Sequence, residues 1–439
     1  MRLPKNVAVA AGALTLALVS LSAQRGASEH WVGTWATGAA WRPSAQASVA
    51  SAPPVVPQPS APQPAVPAPP ANPAAAPRPV QFNNQTLRQI VHTSIGGSRV
   101  RIVLSNVFGT APLAVGAASV ALRDTDAALV ANTSRPLTFS TRPSITIPAG
   151  AIVVSDPVPL TVPALADLAI DLFLPGDSEA WPSTLTVHNT GLQTNYVSPP
   201  GNHAGRVFTP VATATSWFLL ARVEVVAPAS SAAVVTLGDS ITDGTRSTAD
   251  ANRRWPDALA RRLQAQPATR RLSVLNLGIG GNRLLNEGAP NFGINALARF
   301  DRDVLAQPGV AYVIVLEGIN DIGMSARTGP SPSAEDLIAA HRQLVDRAHM
   351  KGLKIFGGTL TPFEGAAYFT PEGEAKRQAV NEWVRTSKVY DAVADFDAAL
   401  RDPQHPTRVL AAYDSGDHLH PSDAGYTAMA DVINLGWFK

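Results

Sequence analysis

The chain has 439 residues, more than one domain usually needs, so we expect two domains. Hydrophobic residues make up 45% of the sequence and charged residues 15%, which is enough apolar material for a large core. The formal charge of +2 includes Arg2 and Lys5, and the rest of the chain is close to neutral, which argues against nucleic acid as a partner. Cysteine is absent, which excludes disulfides, a thiol nucleophile and cysteine-based zinc sites.

The first 28 residues have the layout of a secretory signal peptide. Arg2 and Lys5 precede an apolar run over residues 7–21, and small residues follow that run. The run is too short for a comfortable membrane span, although an uncleaved N-terminal anchor is the alternative interpretation. We therefore expect an exported protein, secreted or periplasmic, that lacks a membrane span once residues 1–28 are removed.

Residues 29–228 are predicted to form an all-β domain. From about residue 81, short segments rich in Val, Ile and Thr alternate with Gly, Pro, Asn and Asp, which favours an antiparallel β-sandwich of the jelly-roll type. Residues 43–79 are almost all Ala, Pro, Ser, Val and Gln and cannot bury a core, so they are predicted to be disordered. The tryptophan-rich segment before them, HWVGTWATGAAW, is expected to be folded, which makes the Pro-rich stretch an insert within this domain.

The remaining residues, 229–439, alternate predicted strands with predicted helices. The strands are AVVTL, LSVLNL, AYVIVLE, LKIFGGTL and VADFD, and helices are predicted near residues 254–264 and 296–305, from Ser333 to about 350, from Thr370-Pro371 onward and after Pro421. This alternation indicates a parallel sheet with helices on both faces. In such sheets the active site lies where loops converge at the carboxyl ends of the strands.

Four loops of this second domain hold residues suited to acyl transfer, and the first two follow consecutive strands. In LGDSITDG, Ser240 comes just after a buried strand, where its hydroxyl can face a cleft beside backbone N–H groups. In NLGIGGN, a glycine cluster allows close backbone approach, and the Gly281 N–H is a candidate oxyanion donor. Each of these two motifs taken alone is explained equally well as an ordinary tight turn.

The other two loops contribute an amide and an imidazole. In GIND, the Asn320 side chain can donate an N–H to the same oxyanion, or it can simply close a turn. In DHLH, an aspartate three residues before His420 suits a general base with an orienting carboxylate, namely Asp417. His418 and His420 with a nearby aspartate also suggest a metal site, but no other histidine cluster supplies further ligands, so we expect no metal.

Taken together, the four motifs resemble those of the SGNH hydrolases, also called the GDSL esterase family. The resemblance covers roughly residues 231–439, with isoleucine where the family name has leucine. It implies a three-layer, flavodoxin-like α/β fold for this domain. A G-x-S-x-G elbow is absent from the sequence, which argues against the α/β-hydrolase alternative. The HWVGTW segment and the strand-rich region are similar to the leader domain of a multi-domain bacterial subgroup of the family.

The resemblance also implies a role for each motif residue. Ser240 would be the nucleophile, His420 the general base and Asp417 the acid that orients it. The N–H groups of Ser240 and Gly281 and the side-chain amide of Asn320 would form the oxyanion hole.

The expected activity is hydrolysis of carboxylic esters, such as acyl or acetyl esters of carbohydrate or lipid, through an acyl-enzyme intermediate and without a metal or organic cofactor. Two alternatives are an acyltransferase that uses the same triad and a non-catalytic carbohydrate-binding protein. Exposed aromatic side chains along one sheet face would favour binding by the β-domain. Burial of Trp31, Trp35 and Trp217 would instead favour a structural role for these aromatics.

Overall fold

The computed structural model of the protein describes residues 29–42, 82–177, 184–287, 289–324 and 331–438. The predicted signal peptide, residues 1–28, and the predicted insert, residues 43–79, lie outside the described residues. Within the described part of the chain, no helix has both the length and the apolar character needed to cross a bilayer.

The N-terminal region consists of short strands that pair antiparallel with one another. They are β1 Trp31–Ala36, β2 Ala40–Arg42, β3 Asn83–His92, β4 Gly97–Ser105, β5 Leu113–Val115, β6 Ala117–Leu122, β7 Arg135–Leu137, β8 Ile145–Ile147, β9 Ile152–Val154, β10 Val158–Val162, β11 Asp167–Asp177, β12 Leu185–His188, β13 Asn195–Pro200, β14 Ala212–Ala214, β15 Trp217–Phe218 and β16 Leu220–Val226.

Two large sheets of this region share one core. The first has the order β1-β16-β4-β10, with β9 also paired to β4, and the second has the order β14-β13-β3-β11-β6-β7. Alternate residues of β11, such as Leu168, Ile170 and Leu172, join alternate residues of β4, such as Ile102 and Leu104, in the same buried cluster. The predicted antiparallel all-β sandwich is therefore confirmed.

Three tryptophans of the β-region, Trp31, Trp35 and Trp217, are buried or partly buried. Trp35 and Trp217 are buried and meet edge to face, with ring centroids 5.0 Å apart. The indole N–H of Trp217 donates to the Ile90 carbonyl at 2.8 Å. Trp31 is partly buried beneath the Arg101 guanidinium, which lies 4.1 Å from the ring centroid. These contacts favour a structural role for the three rings over carbohydrate binding.

The C-terminal region is built on a parallel sheet with the order β18-β17-β19-β20-β21. Its strands are β17 Ala232–Gly238, β18 Leu272–Gly278, β19 Val310–Leu316, β20 Lys354–Gly358 and β21 Ala392–Ala394. Counted from β17, this is the flavodoxin-like order 2-1-3-4-5, so the predicted fold is confirmed. The chain reverses its direction of travel across the sheet between β17 and β19, which is where such folds bind ligands.

Helices connect the strands of this sheet. They are α1 Ser240–Asp243, α2 Trp255–Gln264, α3 Ala296–Phe300, α4 Ile319–Gly323, α5 Ala334–His349, α6 Pro371–Thr386, α7 Phe396–Leu400 and α8 Asp423–Asp431, with a π turn at Asp301–Leu305 and 3₁₀ turns at Pro290–Phe292 and Leu435–Trp437.

Local sequence explains where the longest helices begin. The Ser333 hydroxyl accepts the Asp336 N–H at 3.1 Å, and the Asp336 carboxylate accepts the Ser333 N–H at 2.9 Å, which is the predicted capping box with aspartate in place of Glu or Gln. Thr370 caps α6, with Pro371 at the first helical position. The predicted helix over residues 296–305 is instead a short α-helix that continues as the π turn.

The β-region packs along the edge of the parallel sheet. The edge strand β18 has an N–H at Val274 that donates to the Ser94 hydroxyl at 3.0 Å, across the boundary between the two regions. A Cβ added at Gly33 in β1 would lie 2.9 Å from a methyl carbon of Leu275 in β18, so any larger residue here would have to displace that methyl group. The otherwise open edge of the parallel sheet is therefore covered by the β-region.

Candidate active site

Ser240 begins the short helix α1 directly beyond the carboxyl end of β17. Asp239 lies between the strand and the helix, and its carboxylate accepts the Ile241 N–H at 2.9 Å as an N-cap. Gly244 ends the helix in the left-handed conformation. This turn from strand to helix places Ser240, which is 9% exposed, beyond the carboxyl ends of the neighbouring strands β17 and β19. Ligands bind at this point in such sheets.

The predicted histidine and aspartate approach Ser240 from the C-terminal loop. His420 Nε2 lies 2.8 Å from Ser240 Oγ, and His420 Nδ1 lies 2.8 Å from a carboxylate oxygen of Asp417. Because the carboxylate can only accept, Nδ1 bears the proton and Nε2 is free to accept the serine hydroxyl proton. This connectivity is the one that base-assisted attack by a serine requires.

Hydrogen bonds to Asp417 keep its carboxylate ionised. Burial by itself would raise its pKa, but hydrogen bonds from the His420 side chain and backbone, together with the charge of His420, hold the pKa of Asp417 below its ordinary value. The Leu419 N–H donates at 3.1 Å, and the exposed Arg246 side chain donates its Nε–H at 3.2 Å. The carboxylate is therefore fixed in place and can stabilise a protonated His420.

The glycine loop after β18 brings Gly281 close to α1. The neighbouring Gly280 N–H donates to the Asp243 carboxylate at 3.2 Å, and Asp243 is the last residue of the helix that Ser240 begins. Gly281 has φ of +75°, and a Cβ there would lie 2.5 Å from the Phe292 ring, so the position requires glycine. Within the described part of the chain, no acceptor pairs with the N–H of Gly281 or of Ser240.

Asn320, at the start of α4, lies against the same loop. Its Nδ2 donates to the carbonyl of Asn282, the residue after Gly281, at 3.0 Å. Burial raises the pKa of the Tyr368 phenol well above its ordinary value, and this phenol donates to Asn320 Oδ1 at 3.4 Å. The two contacts fix the orientation of the amide and leave its second N–H available for a ligand.

The aspartate of the GIND motif has a different task from the asparagine. Asp321 accepts the backbone N–H groups of Leu284 and Leu285 at 2.7 and 3.0 Å and so fixes the chain after the glycine loop. Burial, opposed in part by these two hydrogen bonds, raises the pKa of Asp321 to about 6. The sequence indicates no separate role for Asp321, although this residue lies within the GIND motif.

A buried arginine that the motifs do not contain stabilises the strand ends behind Ser240. Arg299 in α3 donates to the carbonyls of Gly238 at 2.9 Å and Leu277 at 2.7 Å, at the carboxyl ends of β17 and β18. It also donates to Asn282 Oδ1 at 2.9 Å. The sequence gives no signal for this role, because the arginine lies in an amphipathic segment where it is expected on the surface.

Two more carboxyl groups are buried beside this arginine, at Asp239 and Glu317. Burial raises the pKa of both groups, repulsion from the Asp321 carboxylate adds to both shifts, and repulsion from Asp239 adds further to that of Glu317. The positive charge of Arg299 opposes both shifts. Neither carboxyl contacts His420 through a hydrogen bond in the described part of the chain, so neither replaces Asp417 as its partner.

The structure separates the two neighbouring histidines. His418 Nδ1 lies 2.6 Å from Asp414 rather than near Ser240, and its side chain is 54% exposed. Among the residues that the structure describes, no group of three or more His, Asp or Glu side chains is arranged to hold a metal ion. Hydrogen bonds join Ser240, His420 and Asp417 directly. Gly281 lies in the glycine loop that bonds to α1, and Asn320 bonds to the same loop, while His418 forms a separate pair.

Comparison with known proteins agrees with this architecture. Residues 236–428 match the GDSL-like lipase/acylhydrolase family. The C-terminal domain is a GDSL-like domain. The predicted family is thus confirmed, and the protein is an ester-hydrolysing enzyme. The match does not extend to the β-region, whose similarity to the leader domain of a bacterial subgroup stays a prediction. No curated protein matches the chain significantly.

Several solved structures are similar to the GDSL-like domain in fold. A G-D-S-L family protein from Desulfitobacterium hafniense is 22% identical, covering 46% of this chain and 96% of its own, with a TM-score of 0.35. A GDSL-like lipase from Bacteroides thetaiotaomicron is 19% identical over 47% of this chain and 87% of its own, with a TM-score of 0.32. A catalytic mutant of an acetylxylan esterase from Geobacillus stearothermophilus is 22% identical over 46% and 91%, with a TM-score of 0.35.

Proposed function

We propose that the protein is an exported serine esterase that hydrolyses carboxylic esters through a Ser240–His420–Asp417 triad. The observation that supports the triad is the pair of 2.8 Å contacts that link Ser240 Oγ to His420 Nε2 and His420 Nδ1 to Asp417. The membership of residues 236–428 in a family of lipases and acylhydrolases supports the ester bond as the target.

The proposed reaction has two acyl-transfer steps. Ser240 Oγ attacks the ester carbonyl while His420 Nε2 takes the hydroxyl proton, and the resulting oxyanion accepts from the N–H groups of Ser240 and Gly281 and from the Asn320 amide. The tetrahedral intermediate collapses as His420 returns the proton to the departing alcohol. Water then repeats the sequence on the acyl-enzyme, releases the acid and restores the serine.

We propose acyl or acetyl esters of carbohydrates or lipids outside the cytoplasm as the substrate class. The sequence of residues 1–28 supports export, because it has the charged, apolar and small-residue order of a signal peptide. Fractionation of cells that express the chain with and without residues 1–28 tests this: we expect activity outside the cytoplasm only with these residues present. Equal export of both forms would contradict it.

The triad is tested by Ser240→Ala together with covalent labelling. We expect the variant to lose ester hydrolysis while its melting temperature stays near that of the wild type, and a fluorophosphonate to label the wild type at Ser240 alone. Ser247→Ala is the matched control, because Ser247 is equally buried but has no contact with His420 in the described residues. A fully active Ser240→Ala variant, or stoichiometric labelling at another residue, would overturn the proposal.

A chain-length series of chromogenic esters, measured beside acetylated polysaccharides, would define the substrate. Added alcohol or sugar acceptors separate hydrolysis from transfer, because a transferase forms its product only when the acceptor is present. We expect release of free acid without an acceptor.

A further inference from the structure

A histidine of the β-region reaches into the GDSL-like domain beside the nucleophile. His188, at the end of β12, places Nε2 3.0 Å from a carboxylate oxygen of Asp243, the last residue of α1. Its Nδ1 lies 2.8 Å from the carbonyl of Gly38. The side chains of His188 and Asp243 are only 1% and 8% exposed, so water does not compete for these contacts.

The partners of His188 determine how many protons the pair holds. The Gly38 carbonyl can only accept, so Nδ1 carries a proton. The Nε2–Asp243 contact needs a second proton, held either on the imidazole or on the carboxyl. In both cases His188 and Asp243 together hold one proton more than a neutral histidine and a carboxylate would. The pair therefore has no net charge in either case, which is the least costly state for two buried groups.

Asp243 links His188 to the glycine loop after β18. Its second carboxylate oxygen accepts the Gly280 N–H at 3.2 Å, and the Asn282 N–H donates to the Ile279 carbonyl at 3.0 Å. The peptide between Gly280 and Gly281 is thus held on both sides. That peptide carries the Gly281 N–H, the proposed oxyanion donor.

The turn of the β-region that contains Gly38 packs on the same loop. A Cβ added at Gly38 would lie 2.5 Å from a side-chain carbon of Ile279 and 3.2 Å from the Gly278 carbonyl oxygen. The strand that follows this turn, β2, pairs with β12, with Ala40 opposite Val187. The β-region therefore presents a rigid surface to the loop, in which His188 and the Gly38 turn are fixed relative to each other.

We propose that His188 is a positioning residue for the esterase reaction, acting through Asp243 to hold the Gly280–Gly281 turn in the geometry of the oxyanion hole. The β-region then contributes one positioning residue, His188, to the reaction. This inference rests on the proposed function, because it assigns His188 a role in that same reaction. His188 itself does not touch the substrate.

The test compares turnover with the binding of a tetrahedral adduct. His188→Ala and Asp243→Ala should each lower kcat for a short-chain ester roughly 10- to 100-fold, because a misplaced donor loses stabilisation in the transition state, with KM changed less than about threefold. Phenylboronic acid adds to Ser240 Oγ as the hydroxyl proton passes to His420, giving a tetrahedral boronate with an oxygen in the oxyanion hole. Its inhibition constant should rise by about the same factor as kcat falls.

Asp243→Asn is the conservative variant that should restore activity. Its Oδ1 can accept the Gly280 N–H, and its Nδ2 can donate to Nε2 of a neutral His188 whose Nδ1–H still bonds to Gly38. The variant thus keeps the hydrogen bonds of this network, although its His188 carries only the Nδ1 proton. We therefore expect kcat within about threefold of the wild type.

Ser94→Ala is the matched control, because it removes another buried hydrogen bond between the two regions, to Val274, away from the glycine loop. It should lower the melting temperature but leave kcat and the boronate inhibition constant unchanged.

If His188→Ala does not fold, the comparison of Asp243→Ala with Asp243→Asn still tests the positioning role. Alanine variants with normal kcat and normal boronate binding, in a protein whose Ser240→Ala variant is inactive, would overturn the positioning role while the proposed function stands. An active Ser240→Ala variant would instead overturn the proposed function.

Discussion

Replacing Asp417 with asparagine changes one atom of the side chain but reverses the direction of one hydrogen bond. One carboxylate oxygen accepts the backbone N–H groups of Leu419 and His420 at 3.1 and 2.8 Å, and the other faces His420 Nδ1 at 2.8 Å and Arg246 Nε at 3.2 Å. The new amide must keep its oxygen toward the two backbone donors, because the opposite orientation places an NH₂ group against both of them.

The amide nitrogen then faces His420 Nδ1, which has to become an acceptor. His420 adopts the tautomer with its proton on Nε2 and can no longer accept the hydroxyl proton of Ser240. The exposed side chain of Arg246 can swing away, so it does not prevent this arrangement. The equivalent change in a serine protease triad lowers kcat roughly 10⁴-fold, or about 5.5 kcal/mol in activation free energy, and we expect a loss of that order.

Steady-state kinetics on a short-chain ester, with a thermal melt of the same preparation, measures this effect. Asp414→Asn is the matched control, because Asp414 lies 2.6 Å from His418 Nδ1 in the same loop, and among the described residues neither member of that pair has a hydrogen bond to Ser240. The control should keep kcat within about twofold of the wild type. If Asp417→Asn retained kcat within about tenfold of the wild type while Ser240→Ala was inactive, the tautomer argument would be refuted.

Three further predictions follow from the same site. Asn320→Ala should lower kcat roughly 10²- to 10³-fold with KM changed less than about threefold. A large drop in melting temperature with near-normal kcat would instead show that the Asn320 amide has only a structural role. His418→Ala should keep kcat within about twofold in the same ester assay, whereas an inactive variant would require a new assignment of the base. Asp321 has a folded-state pKa of about 6, so between about pH 4 and pH 6 the folded chain retains a proton that the unfolded chain has lost. Its contribution to the free energy of unfolding is complete at low pH and falls by about 3 kcal/mol across that interval. In urea titrations the free energy of unfolding should therefore fall by about 3 kcal/mol more in the wild type than in Asp321→Asn, and equal falls would contradict the prediction.

Candidate site residues can be proposed from sequence where the chemistry depends on residue type and local order. Ser240, Gly281 and Asn320 each follow a strand whose apolar run is plain in the sequence, and parallel strands bring their carboxyl ends to one edge. The Asp417–His420 spacing is also local. These features can be recognised in the sequence because each depends on a few neighbouring residues.

Contacts between distant parts of the chain could not be predicted in this way. The meeting of His188 with Asp243 depends on how the β-region packs on the parallel sheet, and no periodicity encodes that packing. Arg299 looks like a surface residue of an amphipathic helix until the fold buries it behind β17. Short strands such as β12 and β14 cannot be distinguished from loops in the sequence, because three or four residues show too little alternation.

The pairing of β1 with β16 has a consequence for how the protein is made. Trp31 in β1 lies opposite Val226 in β16. Strand β1 therefore cannot pair until nearly the whole β-region has been synthesised. Contacts of such long sequence separation form slowly, because loop closure must come before any gain from pairing. β16 leads within a few residues into β17, the strand that precedes Ser240. During synthesis the nascent chain therefore has an unpaired β1 until β16, which immediately precedes β17, has emerged. Loss of residues 31–36 would leave the edge of β16 exposed to pairing with other chains.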